Sequence, residues 1–85
     1  MKHKQINIEA QLLLVYYKAV ALRRLLLLDE NGVYPDVVHA VLLPDGRVVV
    51  TEATGDTYLF ESPRRVAEYY GVKVVTEDTS EPVAP

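Results

Sequence analysis

Apolar residues crowd the first third of the chain. Between Leu12 and Leu28, fourteen of seventeen positions are Leu, Val, Ala or Tyr, interrupted only by Lys18, Arg23 and Arg24. Leu, Ala, Gln, Lys and Arg are strong helix formers, and no Gly or Pro falls in the segment. The pattern predicts one long helix from about Ile6 to Glu30. Asn7 can cap its start, and Glu9 suits the positive end of the helix dipole. Asn31-Gly32 reads as its stop, because Gly accepts the left-handed conformation that ends helices. Pro35 then prevents resumption.

Beyond Pro35 the residue types become β-branched. Val37–Leu43 and Arg47–Ala53 are predicted strands joined by the turn Pro44-Asp45-Gly46, which makes a hairpin. Thr54-Gly55-Asp56 is a second turn before a short strand, Thr57–Glu61. Ser62-Pro63 is a helix start, with Ser at the cap and Pro where its missing N–H costs nothing. Gly71 ends this second helix, and Val72–Val75 is a last strand. The expected fold class is α+β: a long N-terminal helix packed on a small, mainly antiparallel sheet, in the order α-β-β-β-α-β. The fourth strand is expected beside the first or third of these strands. Val38, Ala40 and Leu42 are expected on one face of the first strand, with Val37, His39, Val41 and Leu43 on the other. Strands apolar on both faces belong to a sheet covered on both sides.

The long helix carries more apolar surface than one sheet can cover. Ile8, Leu12, Val15, Ala19, Leu22 and Leu26 are spaced 4, 3, 4, 3 and 4 apart, as in a heptad seam. Ala10, Leu14, Tyr17, Ala21 and Leu28 form a second line. A helix apolar nearly all round is buried nearly all round. The simplest cover for the second line is the same helix of another copy across a two-fold axis. Those five residues are therefore the expected oligomer interface, with a homodimer as the first expectation, cover by the second helix and the chain termini within one chain as the next, and a different protein partner as the last.

Charge sharpens the division of the chain. The net charge is −3, from nine basic and twelve acidic residues. Three of the acids, Glu77, Asp78 and Glu81, fall in the last ten residues, so residues 1–75 are neutral. They are read as one domain, and 76–85 as an acidic, Pro-containing, disordered tail. A neutral body gives no electrostatic reason to expect nucleic acid. The chain has no Cys, which excludes disulfides, thiolate metal sites and cysteine nucleophiles. The apolar run is broken by Lys18, Arg23 and Arg24, so it is not read as a membrane span. The start Met1-Lys2-His3-Lys4 lacks a clean cleavage site downstream, so it is not read as an export signal, and a cytoplasmic location is expected.

Candidate chemistry is sparse. His3 and His39 are isolated, with no HExxH or other ligand spacing, so no metal and no cofactor are expected. Asp45 and Asp56 fall in turns, where Asp stabilises the bend through its own side chain. No phosphate loop occurs, and Ser62 is a helix cap rather than a nucleophile. Val66–Val72 resembles the first helix and turn of a helix-turn-helix motif, but β-prone Lys73–Thr76 stands where the recognition helix should follow. Six tyrosines against one Phe and no Trp suit half-buried contacts, because Tyr hides its ring and keeps a wet hydroxyl. The function expected from these features is non-catalytic: a regulatory or accessory protein that self-associates through its apolar helix. The alternative is a nucleic-acid-binding regulator using Arg23, Arg24, Arg64 and Arg65 on a dimer-assembled surface. An enzyme site at a subunit interface, built on His39, ranks third.

Overall fold

A computed structural model describes residues 8–17 and 22–77. Its elements are α1 (Ile8–Tyr16), β1 (Arg23–Asp29), β2 (Gly32–Val33), β3 (Val37–Leu42), β4 (Val48–Glu52), β5 (Thr57–Phe60), α2 (Pro63–Tyr70) and β6 (Lys73–Thr76). The class is α+β with an antiparallel sheet and two helices, as expected. The second half follows the sequence reading closely, and the first half does not.

The expected long helix is the main correction. The helix is short, Ile8–Tyr16, and the leucine run Leu25–Leu28 lies in β1. Helix propensity is a weak preference that tertiary burial overrides. Here Leu25 and Leu27 are buried on the same face of β1, while Leu26 and Leu28 alternate to the other. Residues two apart share a face in a strand and not in a helix. Asn31-Gly32 is correspondingly a hairpin signal and not a helix stop. Asp29 pairs with Gly32 across a two-residue loop, and Asp29 Oδ1 accepts the Asn31 N–H at 2.7 Å. Gly32 takes φ +115°, a conformation side chains disfavour.

β1 is the hub of the sheet. It pairs antiparallel with β2, β3 and β6. A strand has only two edges, and the registers show how three partners share them. Leu28 pairs with both Val33 and Lys73, so β2 and β6 lie on opposite edges. Arg24 pairs with Val41 of β3, while its carbonyl accepts the Glu77 N–H at 3.0 Å beyond β6. β2 and β3 therefore follow one another along one edge, and β6 occupies the other. The ladder continues through β4 to β5. The last strand was expected beside Val37–Leu43 or Thr57–Glu61; it joins β1 instead, because the leucine segment supplies the sheet with a strand that the sequence reading had made helical.

Both faces of this sheet are covered. On one, Leu25, Leu27, Ala40, Val48, Val50 and Val74 pack with Val66 of α2. On the other, Val41, Leu43 and Val49 pack with Ala10, Leu13 and Leu14 of α1 and with Tyr17 just past its end. Val48, Val49 and Val50 have no solvent exposure, which a one-sided sheet would not allow. The helix over each face is thus supplied within one chain. A register shift between Val37 and His39 corrects the expected faces of β3. The bulge turns Val37 inward with Ala40 and Leu42 and leaves Val38 largely exposed.

The turns and caps form as read. Asp45 Oδ1 accepts the Arg47 N–H at 3.0 Å, and Thr54 Oγ1 donates to Asp56 Oδ2 at 3.2 Å. Ser62 Oγ accepts the Arg65 N–H at 3.3 Å, Pro63 opens α2, and Gly71 at φ +67° closes it. Thr76 closes β6 and is buried, and Glu77 pairs with Arg24 at 3.3 Å. The remainder of the expected tail, 78–85, lies outside the described residues, as do Asn7 and His3.

The strand assignment of the leucine run has a direct consequence. Leu27→Ala is expected to cost roughly 2–5 kcal/mol by removing a buried side chain, and Leu26→Ala distinctly less. Urea denaturation of the two variants reads the difference; equal losses would contradict alternation along β1.

Candidate interaction surface

The two helical lines exchange places relative to expectation. Ala10, Leu14 and Tyr17, expected at an oligomer interface, face the sheet, and Ala10 is fully buried. Leu28 lies on β1 and Ala21 lies outside the described residues, so the five do not share one helix face. Of the line expected to meet the sheet, Ile8, Leu12 and Val15 point outward, Leu22 packs on the sheet, Leu26 lies on β1 and Ala19 lies outside the described residues. Ile8, Leu12, Val15 and Tyr16 are 61%, 63%, 64% and 76% exposed. Positions i, i+4, i+7 and i+8 form one stripe of a helix. The physical reason is size. Ala10 lets the short helix approach Val41, Leu43 and Val49 closely, while Leu13, Leu14 and Tyr17 spread over the surrounding surface.

A second open feature lies at the opposite edge of the sheet from β6. β5 pairs with β4 on one side and, among the described residues, with no strand on the other. Between β5 and α2 runs an open groove of about 490 Å³, lined by Leu59, Phe60, Glu61, Arg65, Glu68 and Tyr69. The aromatic rings of Phe60, Tyr69, Tyr70 and Tyr34 pack in sequence behind it, with centroids 4.9 to 5.8 Å apart. Tyr70 anchors this group. Its hydroxyl donates to Glu52 Oε2 at 2.8 Å, and Glu52 is almost wholly buried. Burial pushes the Tyr70 phenol far above its usual value of 10, and the hydrogen bond to the Glu52 carboxylate and its negative charge add to this.

The arginines do not form one patch on a single element. Arg23 and Arg24 stand on β1, and Arg64 and Arg65 on α2. Arg24 pairs with Glu77 at 3.3 Å, Arg64 with Glu68 at 3.3 Å and Arg65 with Glu61 at 3.8 Å. His39 lines a small gap of about 60 Å³ where β1 parts from β3, together with Arg24 and Glu77. Partial burial holds its imidazole below the ordinary value of 6.5; the Arg24 charge lowers it further and Glu77 opposes. Among the described residues no group of His, Asp and Glu is arranged to hold a metal ion. Nor is any helix among them long and apolar enough to cross a membrane.

Sequence reasoning missed the free edge of β5 because its strand order was wrong, although Thr57–Glu61 was itself read as a strand. Ile8, Leu12 and Val15 of the exposed stripe were visible in the heptad spacing, but the seam was carried past the end of α1, its direction was misassigned and Tyr16 was left out of it. No family model, curated protein or solved structure matches the chain.

The Tyr70–Glu52 pair sets a pH dependence. The folded state holds the phenolic proton more tightly than the unfolded chain, so the stabilisation is intact below pH 10 and is lost as pH rises above it. Tyr70→Phe is expected to cost about 1–3 kcal/mol at pH 7, because a buried carboxylate loses a donor. Denaturation at pH 7 and at pH 11 should show the wild type losing more stability between the two than the variant.

Proposed function

We propose that this protein is a non-catalytic interaction domain of the cytoplasm, a regulatory or accessory protein that works by self-association through α1. One observation carries the reading: the outward stripe Ile8, Leu12, Val15 and Tyr16, each more than 60% exposed, on a helix whose other side packs on the sheet. Single apolar residues are common on surfaces, but four on one stripe make a patch with a use. Hiding them at ~25 cal/mol per Å² is worth several kcal/mol. A second copy is the simplest cover, because an isologous contact needs no other surface to evolve. The nucleic-acid alternative is less well supported. Three of its four arginines already hold carboxylates, and the body of the domain has no positive excess.

The test is the mass in solution. The wild type is expected to sediment as a multiple of 9.6 kDa, and the Leu12→Glu/Val15→Glu variant as a single chain with an unchanged circular dichroism spectrum. By contrast, Ala10→Glu buries a charge beneath α1 and is expected to unfold the helix from the sheet. A wild type that stays a monomer at every concentration would remove the self-association reading.

A further inference from the structure

We infer that the two-fold axis of this assembly runs through the free edge of β5, with Leu59 of one copy pairing antiparallel to Leu59 of the other, so that the two sheets become one continuous sheet. The inference rests on the self-association reading and names the surface that completes it.

The first argument is the backbone. In an antiparallel ladder, residues alternate between pointing both polar groups at the neighbouring strand and pointing both away. The Glu52 N–H donates to the Asp56 carbonyl at 2.8 Å, which places Asp56 among the residues bonded to β4. Tyr58 and Phe60 follow in phase. Thr57 and Leu59 then direct their N–H and C=O groups to the free edge. The register on the far side of β4 agrees, since the Leu43 N–H donates to the Arg47 carbonyl at 2.8 Å, which turns Val49 toward β3 and away from Leu59. An edge of this kind is a template for another strand, and proteins that keep it free guard it with Lys, Pro or a covering loop. Thr57-Tyr58-Leu59-Phe60 carries no charge and no Pro.

The second argument is self-complementarity. With Leu59 on the axis, Leu59 meets Leu59, and Tyr58 meets the partner's Phe60, an aromatic pair of the kind that stabilises sheets. Moving the axis to Tyr58 would set Phe60 against the partner's Asp56. The Leu59 register alone keeps apolar side chains opposite apolar ones. The α2 side of the edge carries Glu61, Arg64, Arg65 and Glu68, a net charge of zero, so a second identical surface meets no net repulsion. A neutral edge also gives no reason to select a strongly charged foreign peptide.

The third argument is area. Four exposed side chains of α1 offer roughly 400 Å², about half of the ~800 Å² per partner typical of a stable interface. α1 packs more extensively on β5 than on any other strand. An axis at Leu59 therefore sets the two α1 helices side by side and covers the flank of the stripe nearest the axis. The open groove between β5 and α2 receives the partner's side chains on the opposite face.

The experiment is amide hydrogen exchange on the isotope-labelled full chain over a dilution series, with mass measured on the same samples. The Leu59 and Thr57 amides are expected to exchange at least ~10-fold more slowly in the associated form than in the dilute monomer. Thr57→Pro removes an outward N–H that the ladder to β4 does not use. It is expected to abolish the dimer while keeping a cooperative thermal transition. A dimer in which both amides exchange freely, and which survives Thr57→Pro, would overturn the edge pairing and leave the α1 reading standing. A chain that is monomeric throughout would overturn both. Protection that appears only when a different protein is added would overturn the second copy as occupant.

Discussion

A sheet apolar on both faces has to be covered twice, and everything else in this structure follows from that. Val48, Val49 and Val50 face opposite sides in turn and are all fully buried. In 85 residues there is room for two short helices, one to a face. The covers are unequal. α2 is fastened by a serine cap, a proline at its first turn, a left-handed glycine at its end and the Tyr70–Glu52 hydrogen bond. α1 is nine residues long and rests on small and medium side chains around Ala10. A helix of that length is marginal alone in water, so packing rather than propensity holds it.

That inequality places the molecule's unsatisfied surface. The well-fastened side keeps its aromatic rings mostly to itself. The thinner cover leaves an apolar stripe outside, on the helix that packs over the edge strand β5. A small domain buries a smaller share of its surface than a large one, and association is a common remedy. The chemistry agrees with that reading by what its groups already do. The buried carboxylate is engaged by a tyrosine, three arginines by glutamates, and the turn aspartates by the turns.

Residues 40–75 were legible because each signal there is local. Pro44-Asp45-Gly46, Thr54-Gly55-Asp56, Ser62-Pro63 and Gly71 force the backbone by their own geometry, and β-branched valines fill the intervals. The leucine run carries no such local instruction. Leu has high helix propensity, yet a four-residue apolar run before Asn-Gly also describes a buried strand opening a hairpin. What decides is the partner β6, some fifty positions away, and no local pattern reveals it. The misreading then spread. One long helix gave two seams, the second seam was assigned to an interface, and the strand order lost its central member. The exposed line on α1 survived, because heptad spacing is a local property, but which side met the sheet depended on packing against Val41, Leu43 and Val49. The bulge at Val37–His39 was likewise invisible, since it answers to the register with β4.

The pairing of β1 with β6 bears on how the molecule is assembled in time. Leu25 meets Thr76 and Leu28 meets Lys73, so one edge of the hub strand is filled only after roughly fifty further residues have been made. Long-range pairing of this kind is slow, because loop closure precedes the contacts that reward it. Synthesis runs from the N-terminus, so the four consecutive leucines of β1 emerge before every strand they pair with. The hairpin with β2 and the ladder through β5 can form meanwhile and shield one edge. The other edge stays open until the last strand arrives. The nascent chain thus passes through a stage with a bare leucine strand at its edge, and it is at that stage, more than in the finished fold, that it is exposed to misassembly and to the attention of chaperones.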